Sequence, residues 1–206
     1  MSVSTTKVVL LSIFLFLGMV LSGIIMQPDS SLEVWNIEES DFPQNNSSSQ
    51  DRLTFLLNYA ILAPSSHNSQ PWRFNVSEDR VQVFADQSRW LSVADPGKRE
   101  MYLSLGAALE NLIIAAERFG YNCTISYFPG EKDLVADISL KHGTGNTSNP
   151  ALFEAITSRR TNRNPYQMKA ISDSEAADLY RYRSHPDVDV FLSQDSDTIE
   201  AFRELV

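Results

Sequence analysis

Apolar positions along this chain form one unbroken run, several stripes at helical spacing, and short stretches that alternate with polar residues. The unbroken run is Val8 to Met26, interrupted only by Ser12, Gly18, Ser22 and Gly23 and free of charge. As a helix it is long enough to span a hydrocarbon core of roughly 30 Å. Lys7 precedes it, while Asp29, Glu33, Glu38, Glu39 and Asp41 follow. That bias predicts a single-pass membrane anchor at residues 1–27, with the N-terminus inside and the soluble part extracytoplasmic. A cleavable signal segment, which would leave the remainder secreted, is the alternative, although no Ala-x-Ala site follows. Residues 28–51 are polar, with a low-complexity tract around Asn45 to Gln50, and read as a flexible linker.

From residue 52 the stripes begin. Leu53, Leu56, Leu57, Ala60 and Ile61 predict a helix over 53–62. Arg73 to Val76 and Arg80 to Ala85 predict paired strands across a Ser77-Glu78-Asp79 turn. Asp95-Pro96 opens the longest soluble helix, with Tyr102, Leu105, Leu109, Leu112, Ile113, Ala116 and Phe119 at helical period and Gly120 at its end. Two more strands follow at 124–127 and 134–140, joined across Pro129-Gly130. His142 to Pro150 reads as a loop or boundary. Beyond it the pattern predicts a helix from Ala151 to Arg159 and a capping box at Ser172-x-x-Glu175 ahead of a helix to about residue 183. It then predicts a strand at 188–192 and a helix from Asp197 on. That last helix has no terminating signal, so the chain reads as part of a longer protein.

Composition narrows the function classes. With 206 residues and 43% hydrophobic side chains there is enough for a core. The net charge of -9 argues against nucleic acid as a partner. Cys123 is the only cysteine, and His67, His142 and His185 stand at no metal-ligand spacing, so no metal is expected. Glycine-rich nucleotide fingerprints are missing. Asn45, Asn46, Asn75, Asn122 and Asn146 head Asn-x-Ser/Thr triplets, which take sugar only in a glycosylating compartment.

Two polar stretches carry the candidate chemistry. Ala63-Pro64-Ser65-Ser66-His67-Asn68-Ser69-Gln70-Pro71-Trp72 is a loop that two prolines keep out of helix. It offers hydroxyl, carboxamide and imidazole groups for a polar planar ligand, or it merely reverses the chain. Ser66 and His67 are neighbours in sequence, which seldom makes a catalytic pair, and a hydrolase is set aside. The second stretch, Arg159-Arg160-Thr161-Asn162-Arg163, ends a helix with three guanidinium groups, suited to a phosphate or to the negative end of the helix dipole.

The first stretch, read on through Arg73-Phe74, resembles the Ala-Pro-Ser-x-x-Asn-x-Gln-Pro-Trp-x-Phe signature of the nitroreductase family of FMN flavoproteins. Gly106-Ala107-Ala108-x-x-Asn111-Leu112-x-x-Ala115-Ala116 resembles that family's central helix, and Ala155-Ile156-x-x-Arg159-Arg160-Thr161-x-Arg163 its phosphate-binding motif. The arginine motif follows the loop here, whereas in ordinary members it precedes it. That order is similar to a two-lobed branch typified by mycobacterial dormancy-associated nitroreductase-like proteins. The resemblance implies an α+β fold, a nitroreductase-like three-layer α/β/α sandwich. Residues 52–150 would be a complete first lobe and 151–206 the start of a second.

It further implies FMN held by Ser65, Ser66, Asn68 and Gln70 from the loop and by Arg159, Arg160, Thr161 and Arg163 from the arginine motif. The implied partners are a small electron acceptor such as a nitroaromatic or quinone, and NAD(P)H or a membrane electron carrier as donor. The pairing would lie within one longer pseudo-dimeric chain or in a homodimer. Flavin storage without turnover, and an inactive remnant, stay open as alternatives.

Overall fold

The computed structural model describes residues 34–44, 46–143, 149–165, 167, 169–181 and 189–204. Packing divides the chain into one unit up to Thr161 and another from Asn162.

In the first unit, helix α1 spans Ser49–Ala60. Its start is a reciprocal capping box. The Asp51 N–H donates to Ser48 Oγ at 3.0 Å, and the Ser48 N–H to Asp51 Oδ2 at 3.2 Å. The polar tract that reads as linker therefore supplies the cap. Upstream of it Trp35, Ile37 and Phe42 pack against the core. Phe42 stacks on Phe119 with centroids 4.4 Å apart, and Glu39 accepts two hydrogen bonds from Arg118 at 2.9 and 3.2 Å.

The strands are β1 (Trp72–Ser77), β2 (Arg80–Ala85), β3 (Tyr121–Tyr127) and β4 (Leu134–His142). They form one antiparallel sheet in the order β1-β2-β4-β3, so two hairpins join through their second strands. Helix α2 (Arg99–Arg118) connects the hairpins and packs on the sheet together with α1. Val81, Val83, Ala136, Ile138 and Leu140 point into this layer and are buried. Most alternate positions are polar, with Phe84 an exception, and several make a cross-strand ladder. Asn75 donates to Gln82 at 3.0 Å, Gln82 to Asp137 at 3.3 Å, and Arg80 pairs with Asp137 at 3.3 Å. A sheet with one buried and one polar face needs only one helical layer. Among the described residues this unit has a mixed α/β architecture, with one four-stranded antiparallel sheet against which α1 and α2 pack.

Helix α2 begins three residues later than its sequence signals suggest. Lys98, in the left-handed region at φ 58°, occupies the cap position without a side-chain cap. Asp95 does the capping from further upstream. Only 6% exposed, it accepts from the Met101 N–H at 2.9 Å, and its own carbonyl accepts from the Trp90 indole at 2.7 Å. At the other end Gly120 takes φ 79°, the conformation a helix stop asks of glycine. Helix α3 (Pro150–Ser158) is capped by Asn149 and buries Phe153 and Ile156. It packs on α2 in the first unit.

The second unit holds α4 (Asp173–Arg181) and α5 (Ser196–Arg203). The expected capping box is present: the Ser172 N–H donates to Glu175 at 2.7 Å and the Glu175 N–H to Ser172 Oγ at 3.3 Å. The expected strand is not. Residues 189–192 are not in a strand, because the described part of this unit offers no second strand to take their backbone groups.

The membrane expectation is also corrected. Among the described residues no helix is long and apolar enough to cross a membrane. The apolar run at 8–26 lies outside the described residues, as does the 144–148 part of the expected loop. An anchored, extracytoplasmic placement is not carried forward.

Replacing Asp95 with alanine would leave the Met101 N–H buried without an acceptor. We expect the unfolding free energy from urea titration to fall by about 1–3 kcal/mol; an unchanged midpoint would contradict the distant cap. Tyr59, 1% exposed, has a hydroxyl with no hydrogen-bond partner among the described residues. Burial, reinforced by Glu39, pushes its phenol up to about 12. Because folding favours the neutral phenol, this contribution is intact below pH 10 and fades as pH rises from 10 to 12. Tyr59→Phe should therefore flatten the alkaline loss of stability in that window, read from thermal unfolding at stepped pH.

Candidate functional site

Between α1 and β1 the chain turns through Ala63 to Pro71, the loop singled out by its prolines. Its centre, Ser66–Asn68, is a single 3-10 turn. His67, Asn68 and Gln70 all take positive φ, at 51°, 56° and 48°. Each such residue costs about 1 kcal/mol or more unless its surroundings hold it there. The holding contacts are explicit. Ser65 Oγ accepts from the Gln70 N–H at 3.0 Å, and Gln70 Nε2 donates to Asn68 Oδ1 at 3.4 Å. Arg89 donates to the Ser69 carbonyl at 3.1 Å, and the Asp86 N–H to the Pro71 carbonyl at 2.8 Å. Asp86 in turn lies 3.7 Å from Arg89. The Ser88 hydroxyl holds its carboxyl below the usual range, and Arg73 and Arg89 add to this, so it remains charged as their partner.

The loop is also tied to the first turns of α2 by a closed circuit of three hydrogen bonds. The Ser66 N–H donates to Ser104 Oγ at 3.3 Å; Ser104 Oγ donates to the Glu100 carbonyl at 2.7 Å; and Ser66 Oγ donates to the Glu100 carboxylate. Ser104 is buried, and the circuit satisfies its hydroxyl. Neither Glu100 nor Ser104 was among the residues expected from the sequence. The available signal was Ser104, a polar residue on the buried stripe of α2, with Glu100 one turn earlier on the same side.

Contrary to expectation, Ser66 Oγ and His67 Nδ1 meet, at 3.2 Å. The polarity is wrong for a nucleophile. A serine hydroxyl has one proton, and a carboxylate can only accept. Ser66 therefore gives its proton to Glu100 and accepts from His67 Nδ1–H, so His67 is not a base toward it.

Beside the circuit lies an open cleft of about 260 Å³, lined by Pro64, Ser65, Ser66, Leu103 and Ala107 with Glu100 and Ser104 at its floor and rim. Leu103, 64% exposed, contributes an apolar wall. Glu100 is the one charged side chain among these, so the cleft suits a neutral planar group and repels a phosphate.

Positive charge stands at the root of the loop, before Ala63. Arg159 Nη2 donates to the Leu62 carbonyl at 3.1 Å, and Nη1 to Thr161 Oγ1 at 3.4 Å. Its Nε is buried without a hydrogen-bond partner among the described residues. Arg160 lies 4.4 Å from the centre of the Trp35 ring and Arg159 5.9 Å from it, so one indole interacts with both cations. Arg160 also donates to the carbonyls of Thr157 and Arg159 at 2.8 and 2.7 Å. The structure thus brings Ser65, Ser66, Asn68 and Gln70 together, with Arg159, Arg160 and Thr161 at the loop's root. Arg163 is exposed and belongs to the second unit. Trp35 was missed because its neighbourhood reads as linker.

The first unit is a mixed α/β lobe with a cleft between a strained polar loop and a helix. No family model matches the chain. It is 33% identical over 124 residues to Rv3131 of Mycobacterium tuberculosis, covering 59% of this chain and 36% of that protein. To acg of the same organism it is 34% identical over 119 residues, covering 56% and 36%. To PigM of a Serratia species it is 28% identical over 152 residues, covering 66% and 40%. All three carry the name NAD(P)H nitroreductase. These similarities support a nitroreductase-family assignment. The chain spans a little over a third of the length of the mycobacterial relatives. A Parabacteroides distasonis structure titled as an NADH dehydrogenase/NAD(P)H nitroreductase aligns at 16% identity over 70% of this chain and 98% of its own, with a TM-score of 0.39. That likeness is too remote to bear on fold or activity.

Ser104→Ala would leave the Ser66 N–H without its acceptor. The expected loss of unfolding free energy is about 1–2 kcal/mol, with amide exchange at Ser66 and His67 faster than in the parent. Unchanged exchange there would mean that the circuit does not hold the loop.

Proposed function

We propose that this chain supplies an FMN site to an oxidoreductase of nitroreductase type, taking reducing equivalents from NAD(P)H and passing them to a nitroaromatic, quinone or similar small acceptor. The observation that carries the reading is the division of charge along the loop. A mostly apolar cleft with a single carboxylate is lined by Pro64, Ser65 and Ser66, and a guanidinium pair with a spare buried donor stands at the loop's root, on the Leu62 carbonyl. FMN has the matching division, a planar neutral ring and a dianionic phosphate. The buried unpaired Nε of Arg159 supports the fit, since such a donor is costly without a partner.

In this reading Arg159, Arg160 and Thr161 hold the phosphate. Ser65, Ser66, Asn68 and Gln70 line the ring with groups already fixed by their own hydrogen bonds. Bound flavin would supply the hydride chemistry. The protein's part is to orient the ring and to hold Leu103 and Ala107 against one of its faces, excluding water there. The names of the relatives support NAD(P)H as the donor.

Titration of the full chain with FMN should give a flavin absorbance band shifted from that of free FMN. Arg159→Ala should weaken binding about tenfold or more, the worth of a charge-assisted phosphate contact. With NAD(P)H and a nitroaromatic, steady consumption of both is expected. Failure of FMN to bind would sink the proposal, and binding without turnover would favour storage.

A further inference from the structure

Glu100 suits no phosphate site, yet both its backbone carbonyl and its carboxylate are tied to neighbouring serines of the cleft. Its carbonyl accepts from Ser104, and its carboxylate accepts from Ser66. Ser66 is itself fixed by its N–H to Ser104 and by its contact with His67. One carboxylate oxygen, Oε2, is engaged in this way. Oε1 makes no hydrogen bond to the described residues, although it belongs to a group lining an open cleft. A metal ion does not account for it: among the described residues no group of three or more His, Cys, Asp or Glu gathers anywhere. A basic side chain does not account for it either, because none lines the cleft.

A carboxylate accepts and cannot donate. With the Ser66 proton on Oε2, the remaining capacity belongs to a group that lines a cleft with Pro64, Leu103 and Ala107 as its apolar walls and Ser65 and Ser104 beside them. Such a site takes the edge of a flat, weakly polar ring that carries an N–H donor. We infer that Glu100 is the residue that selects the cleft's ligand, receiving the N–H edge of a planar imide or amide ring on Oε1 while Ser66 holds Oε2. This rests on the flavin reading above, in which the ring's imide N–H is that edge. It also fixes the ligand's direction: the imide lies toward Glu100, and the phosphate toward Arg159. No bond is made or broken in this step. The selection is by hydrogen-bond polarity, and an acceptor facing a ring nitrogen that lacks its proton is left unpaired.

The test uses the full chain with FMN and with its analogue methylated at the imide nitrogen, 3-methyl-FMN. Binding is followed by the flavin visible band, and circular dichroism checks the fold of each variant. The parent should bind FMN about tenfold or more tightly than 3-methyl-FMN, the discrimination expected when a charged acceptor loses its donor. Glu100→Ala should bring the two within about twofold by weakening FMN alone. Ser66→Ala, which frees the carboxylate to move, should fall between. If the parent binds both flavins equally, or if Glu100→Ala keeps the parent's ratio, the assignment of Glu100 is wrong while the flavin reading stands. If neither flavin binds the parent, the flavin reading fails and this inference with it.

Discussion

The burial of one face of α2 is the constraint on which the rest of the first unit depends. Leu105, Ala108, Leu112, Ala115 and Ala116 of that helix are fully buried, against β2, β3, β4, α1 and α3. Three of those five are alanines, and small side chains let the neighbouring elements approach closely. The cost is that little tolerance remains, because a close-packed interface feels even a single added methylene. The helix therefore has one position and one rotation relative to the sheet. Its first turns, which carry Glu100 and Ser104, are placed by the same packing that places Leu105.

That placement makes the loop possible. His67, Asn68 and Gln70 all hold positive φ, a conformation uncommon for residues with side chains even though Asn and His tolerate it best. Anchors on both sides hold them. On one side Ser66 is tied to α2 through Ser104 and Glu100. On the other Arg89 and the Asp86 N–H take the carbonyls of Ser69 and Pro71. Glycine at these positions would remove the strain and also the side chains. The chain keeps Asn68 and Gln70 where their carboxamides interact at 3.4 Å. Strain retained with polar side chains at a cleft is the pattern of a binding loop rather than of a plain reversal.

Much of this was legible locally, and the failures share a cause. Both hairpins, the loop and the long helix were readable because alternation, proline and helical period act over a few residues. Asp95 was recognised as a cap, but the three-residue offset was not, since it depends on Lys98 adopting the left-handed region. The circuit joins Ser66 to Ser104 and Glu100 across 34 to 38 residues, a pairing that no spacing rule reports. Trp35 and Phe42 were lost for the opposite reason. Single aromatics in a polar tract do not alter its composition, yet one stacks on Phe119 and the other interacts with two arginines. The alternation of β1 and β2 was legible, but what their polar faces pair with was not. Asn75, Gln82 and Asp137 satisfy one another across the strands. The site residues on the loop were readable as a group, but their geometry was not. The Ser66–His67 contact contradicts the expectation for neighbours, and its direction is set by Glu100.

The cleft and the arginine pair at the loop's root are organised by different physics, and this bears on how a ligand would be recognised. At the root, Arg159 and Arg160 keep their charge beside an indole ring and on carbonyl oxygens, none of which neutralises it. Such cations stay available to an anion, and long-range attraction would bring it in from any orientation. At the cleft the single carboxylate is held by one directional hydrogen bond from Ser66, and Pro64, Leu103 and Ala107 supply apolar wall. Recognition there depends on donor position within a few tenths of an ångström. Affinity drawn from the arginines and discrimination from the cleft can vary separately. A substitution on the guanidinium side would weaken all anionic ligands alike, whereas one on the carboxylate side would change which of them is preferred. Because the loop is held by its own contacts, it does not have to be ordered at the moment of binding, which lowers the entropic cost of complex formation.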